Sequence, residues 1–181
     1  MNPDLYIHRV DYRAPQDGLH LRQLLDLYAR DPMGGAEPLA ASVLERLCDD
    51  LARRPDAASF LAYRGAEPSL LTRAPTNDPT NEPTSDPVGL INCFEGYSTF
   101  KARPLLNVHD IVVHPAFRGQ GVAQALLAAA QRLAIERGCC KLTLEVLNGN
   151  TVAMNAYDRF GFKHYQLDAG AGQAVLLQKW L

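Results

Sequence analysis

Two rhythms succeed one another along this chain. In one, apolar and polar residues alternate; in the other, apolar residues recur every three to four positions. Residues 5–10 alternate and predict a first strand. Residues 19–30 place Leu19, Leu21, Leu24, Leu25, Leu27 and Tyr28 on one helical face, and Asp31-Pro32-Met33-Gly34-Gly35 ends that helix. Leu39, Val43, Leu44, Leu47 and Leu51 predict a second helix over 38–53, and residues 58–63 a second strand. Strands follow at 88–94, with Glu95 and Gly96 extending or bending the first of them, and at 105–113. Val122, Leu126, Leu127 and Leu133 mark a helix over 121–137, which Gly138 closes in a left-handed conformation. A strand over 141–146, a short helix over 150–160 ended by Gly161, and two strands over 162–167 and 173–181 complete the chain.

The order is β-α-α-β-β-β-α-β-α-β-β. Both β-α-β crossovers are long enough for parallel pairing, and the third and fourth strands can pair antiparallel. This predicts an α/β fold, a single domain over 1–181 with a mixed sheet and helices on both faces. One stretch stands apart. Over residues 74–87 the unit Pro-Thr-(Asn/Ser)-(Asp/Glu) repeats three times, with no apolar residue to pack and prolines that block helix and ladder alike. It reads as a mobile tip between the second and third strands.

Composition narrows the classes. At 181 residues and 47% hydrophobic, the chain can bury one sizeable core. A formal net charge of −2 gives no field to attract nucleic acid or an anionic membrane. No apolar run spans a bilayer and the N-terminus lacks a signal pattern, so a cytoplasmic protein is expected. Cys48, Cys93, Cys139 and Cys140 lack metal-ligand spacing and read as free thiols, with no metal required. The two C-terminal strands could pair between copies, which leaves a homodimer open.

The chemistry concentrates where a strand should turn into a helix. After Ile111-Val112-Val113 comes Arg118-Gly119-Gln120-Gly121-Val122-Ala123. A glycine-rich turn opening a helix aims backbone N–H groups at one point. The helix dipole and Arg118 add positive charge there, which suits a pyrophosphate. A P-loop ending in Gly-Lys-Ser/Thr is missing, as is a Gly-x-Gly-x-x-Gly turn after the first strand.

Arg118, Gly121 and Ala123 fill the pattern Arg/Gln-x-x-Gly-x-Gly/Ala in register. Asn150, Ala153, Tyr157, Gly161 and Phe162 fill Asn-x-x-Ala-x-x-x-Tyr-x-x-x-Gly-Phe. Both resemble segments of the GNAT superfamily of N-acetyltransferases, the first being its acetyl-CoA-binding motif. The resemblance covers residues 88–181. It implies acetyl-CoA as cosubstrate, held by residues 118–123 and, along the pantetheine arm, by Ile111, Val112 and Val113, with the fourth and fifth strands splayed apart. It places Tyr157 beside the CoA sulfur and Asn150 near the pantetheine. From the residues alone, Tyr157 could equally be a core aromatic, and Asn150 a helix cap.

Acetyl transfer to an amine also needs a proton acceptor. In the diamine acetyltransferases of that superfamily a Glu followed by Asp stands where this chain has His109-Asp110. Strand alternation puts His109 on the face of Ile111 and Val113, with Asp110 opposite as a structural residue. An imidazole near pKa ~6.5 can accept a proton at neutral pH, and Glu95 and Glu145 are alternatives. Glu95, Tyr97 and Glu145 are candidates for an acceptor pocket. The expected activity is N-acetylation of a primary amine, a small molecule being favoured over a protein amino group, with no nucleic-acid or membrane partner. A non-catalytic acyl-CoA-binding module is the other reading.

Overall fold

A computed structural model describes residues 5–65, 86–165, 170 and 174–180. These form two compact units, residues 1–144 and residues 145–181.

The first unit holds a five-stranded mixed sheet in the order β1-β2-β3-β4-β5. Its strands are β1 (Leu5–Arg9), β2 (Ala57–Arg64), β3 (Pro87–Ser98), β4 (Arg103–Val113) and β5 (Leu142–Leu144). The first four pair antiparallel, and β5 joins β4 in parallel after the crossover through α3 (Val122–Glu136). Helices α1 (Pro15–Ala29) and α2 (Ala41–Ala52) connect β1 to β2. The first begins a full turn before the expected start at Leu19, with Pro15 in its first turn and Asp17 there to meet the helix dipole. The second begins three residues late, because Ala40 is extended and the Leu39 N–H is taken by Asp26 Oδ1 at 2.8 Å.

Register sorts the sheet into two faces. Leu61, Leu90 and Val112 lie opposite one another and pack with Leu21, Leu24, Cys48 and Leu51 of α1 and α2. Their neighbours Ala62, Gly89 and Val113 face the other way. There α3 comes so close that a Cβ on Gly89 would stand 2.8 Å from Val122 Cγ1 and 3.1 Å from Leu126 Cδ1. Helices therefore cover both faces, as expected.

Regular pairing fails twice: between β2 and β3, where Ala62 pairs with Gly89 but Tyr63 with Pro87, and between β3 and β4. Asn92 pairs with Asp110 but Cys93 pairs with Val108, so His109 is a bulge in β4. It shifts His109 from the Ile111 and Val113 face, where alternation puts it, to the side of Phe94, whose ring it meets edge-on at 5.4 Å between centroids. Phe94 belongs to the α1 and α2 side.

In the second unit, α4 (Thr151–Phe160) starts from Asn150, whose side chain accepts the Ala153 N–H at 3.1 Å, and ends at Gly161 with φ 106°. The strands expected over 162–167 and 173–181 do not form among the described residues: 162–165 and 174–180 carry no ladder. Alternating composition alone does not make a strand; its backbone groups need a neighbour, and Val175, Leu176, Leu177 and Trp180 stand exposed. Of the Pro/Thr repeat over 74–87, residues 74–85 lie outside the described residues.

Candidate active site

The turn before α3 is built by local chemistry. After β4, His114 accepts the Ala116 N–H on Nδ1 at 3.3 Å and so caps a single 3-10 turn over Pro115–Phe117. The backbone then passes through Gly119 at φ 76° and Gly121 at φ 84°, a left-handed region that glycine enters without strain. Beyond the chain neighbours, nothing lies within 4 Å of where a Cβ would sit on either glycine. Gly121 is the N-cap of α3 and brings no capping side chain; no acidic residue occupies the first turn. The start of the helix dipole is thus left for an external anion. Gln120 ties the turn down, Nε2 donating to Ala116 O at 3.1 Å.

Arg118, at the start of this turn, is half exposed. Its Nε donates to Val113 O at 3.3 Å and its Nη2 to Asp31 Oδ2 at 3.0 Å. The Met33 N–H and then Arg118 hold the Asp31 carboxyl below the usual carboxylate range. Leu27, Tyr28, Arg30, Asp31, Val112, Pro115 and Arg118 surround a cavity of about 160 Å³.

Beside it runs an unladdered strand edge. The β4–β5 ladder covers only Leu106, Asn107 and Val108, opposite Leu142, Thr143 and Leu144. The His114 N–H donates to Val88 O at 2.9 Å, which fixes the alternation: Val112 turns its backbone groups to β3, whereas Ile111 and Val113 turn theirs to the side β5 has left. That edge can pair with an amide-rich arm. Of the three residues expected to do so, Val112 points its backbone into the ladder and its side chain into the core.

The candidate acid–base residues fall into three places. His109, with a 63% exposed side chain, holds Nδ1 3.3 Å from Asp110 Oδ1. Glu95 is on the α3 face, its Oε2 accepting from Arg137 Nη1 at 3.1 Å, and Tyr97 is exposed near the end of β3, opposite Pro104. The fold therefore does not bring Glu95 to His109. In the second unit Glu145 is exposed, and Tyr157 sits on α4 with its ring 5.9 Å from that of Phe162. Sequence reasoning missed Ser59 and Asn92, buried polar residues whose side chains link across the sheet to Asp110. Their signal was a polar residue at an inward position on each of two adjacent apolar strands.

Comparison with known proteins agrees with this fold. A crystal structure of a probable acetyltransferase superposes with a TM-score of 0.72 at 17% identity, over 96% of this chain and 97% of that one. Aminoglycoside N-acetyltransferase AAC(6')-Iy in complex with CoA gives 0.67 at 18% identity, over 97% and 94%. Streptothricin acetyltransferase of Streptomyces lavendulae is 42% identical over 79 residues. That match spans 44% of this chain and 41% of that relative, less than half of either. The acetyltransferase (GNAT) family model matches residues 21–162, and the chain belongs to that family of acyl-transferring enzymes.

Proposed function

We propose that this chain transfers an acetyl group from acetyl-CoA to the amine of a cationic small molecule, by direct attack in a ternary complex. One observation carries the reading: two left-handed glycines open the start of α3 after Arg118, beside the edge of β4 that β5 does not cover. In this reading the N–H groups around Gly119, Gly121, Val122 and Ala123 take the pyrophosphate with Arg118, and Ile111 and Val113 pair with the pantetheine amides. The cosubstrate supplies a thioester, whose carbonyl carbon the amine attacks. A small-molecule acceptor is favoured by the streptothricin acetyltransferase likeness.

His109 accepts a proton from the acceptor ammonium, and the freed lone pair forms the new C–N bond as the C–S bond breaks. Tyr157 gives its phenol proton to the departing thiolate. Of the three ammonium protons, one stays in the amide, one leaves through His109 to solvent, and one restores Tyr157. Asn150 caps α4 and so fixes the helix that carries Tyr157.

A thermal-shift titration with acetyl-CoA, CoA and NADH tests the reading. A ligand at a hundred times its Kd adds about 2.7 kcal/mol, which for a chain of this size raises Tm by roughly 5–10 °C. The expected result is such a rise with both CoA ligands and none with NADH, with Arg118→Ala requiring more ligand for the same shift. Thiol release with streptothricin as acceptor then separates enzyme from acyl-CoA sensor. No shift with either CoA ligand at millimolar concentration overturns the reading.

A further inference from the structure

The face of the sheet beneath α1 and α2 carries a row of polar groups that its packing does not require. Ser59, Asn92 and Asp110 lie opposite one another on β2, β3 and β4. Ser59 is 1% exposed and Asn92 4%. Ser59 Oγ donates to Asn92 Oδ1 at 2.6 Å, and Asn92 Nδ2 donates to Asp110 Oδ2 at 3.0 Å. Tyr12 OH lies 2.8 Å from Ser59 Oγ. The direction of the row is forced. A carboxylate can only accept, so Asn92 must present its amide to Asp110 and its carbonyl to Ser59. Ser59 spends its one proton on that carbonyl, and therefore accepts from Tyr12.

Buried polar side chains cost stability unless every partner is supplied, and here every partner is supplied in one polarity. The row ends at the one position where β4 departs from regular pairing. Without the bulge, His109 and Asp110 would point to opposite faces; with it, His109 Nδ1 is 3.3 Å from Asp110 Oδ1. One carboxylate oxygen is occupied by Asn92, and the other faces the imidazole.

We propose that Ser59, Asn92 and Asp110 are positioning residues that hold the His109 imidazole with its proton on Nδ1, making Nε2 the nitrogen that takes the acceptor's proton. This rests on His109 being the base in the reading above. Charged and titratable groups of three elements lie around the pair. On β4 there is Asp110 itself. From α1, the Tyr28 phenol is pushed up first by burial and then by the charge of Asp110. From the turn after α2, Arg54 stacks over Phe94 at 5.5 Å and is paired with Asp56 at 2.7 Å.

The test uses the full chain and four proteins: wild type, His109→Gln, Asp110→Asn and the double variant. Long-range proton–nitrogen NMR of the free protein reads the His109 tautomer, and streptothricin serves as acceptor for kinetics. The expected wild-type tautomer carries its proton on Nδ1, and Asp110→Asn moves it to Nε2. Each single variant lowers kcat about tenfold or more with KM for acetyl-CoA nearly unchanged, and the double variant is no slower than His109→Gln. An unchanged tautomer in Asp110→Asn, or losses that multiply in the double variant, overturns the positioning role. Wild-type turnover in His109→Gln instead removes His109 as the base, while the tautomer measurement still decides whether the row controls it. Should Asp110→Asn not fold, Asp110→Ser is read in the same way.

Discussion

The same three strands carry two faces of opposite character. Toward α3 the sheet presents Ala62, Gly89, Ile91, Cys93 and Val108, and the helix answers with Val122, Leu126, Leu127 and Ala130, all buried. Even the nucleophile on that side is silenced: burial pushes the Cys93 thiol up to about 12. Toward α1 and α2, Leu61, Leu90 and Val112 share the face with Ser59, Asn92 and Asp110, and Tyr63 meets His20 from α1. The contrast teaches where chemistry can be accommodated. The α3 face fixes the helix that follows the Gly119–Gly121 turn, and it does so by dry packing. The other face accepts polar cost and gains an oriented carboxylate.

The largest effect should come from opening the dry face. Leu126 is fully buried, and Leu126→Ala should cost about 2–5 kcal/mol in urea unfolding. It should leave the pH profile of turnover where it was. A loss below about 1 kcal/mol would mean that α3 does not seal this face as its contacts imply.

Next comes the polar row. Asn92→Ala removes one acceptor and one donor, so that the Ser59 hydroxyl proton and Asp110 Oδ2 each lose the partner they have in the row. The expected loss is about 1–3 kcal/mol, smaller than for Leu126→Ala, accompanied by slower turnover at every pH. If Asn92→Ala unfolds at the wild-type urea midpoint, the row is not a satisfied buried network, and the contrast between the faces dissolves.

How far the sequence discloses this contrast depends on the range of the rule involved. The glycine turn and its helix were legible because glycine conformation and helical periodicity act within a few residues. Asn150 as a cap and Gly138 after α3, with φ 68°, follow for the same reason. The early start of α1 was obscured by polar Gln16, Asp17 and Gly18, although Pro15 marks it. The bulge was not legible: whether His109 alternates or slips is settled by how β4 registers on β3, and no residue of β4 alone encodes that. The short reach of β5 along β4 is a property of two strands in the same way. The strands expected at the C-terminus had composition in their favour, but among the described residues they have no ladder.

The smallest effect is a slope, and it tests the polar face from its other end. Gln16 Nε2 donates to His20 Nε2 at 2.6 Å, so Nδ1 carries the ring proton and donates to Tyr63 OH at 2.9 Å. Burial lowers the His20 pKa from its ordinary 6.5, against the pull of Asp86 and Asp17. Protonating Nε2 would set two donors against each other unless the Gln16 amide turned over. The unfolded chain has no such constraint and binds the proton near ~6.5. Between that value and the lower folded pKa the unfolded state holds more protons, so stability falls as pH falls through this window and is fully present above it. The carboxylates of Asp26, Asp31 and Asp56 are all lowered below 3.8 and titrate beneath the window. Tm measured from pH 7.5 to 5 should therefore decline in the wild type and decline less in His20→Gln, which keeps a polar group but cannot titrate. Parallel curves for the two proteins would show that His20 is not held neutral by its burial, and that the polar face is more open to water at this end than at Asn92.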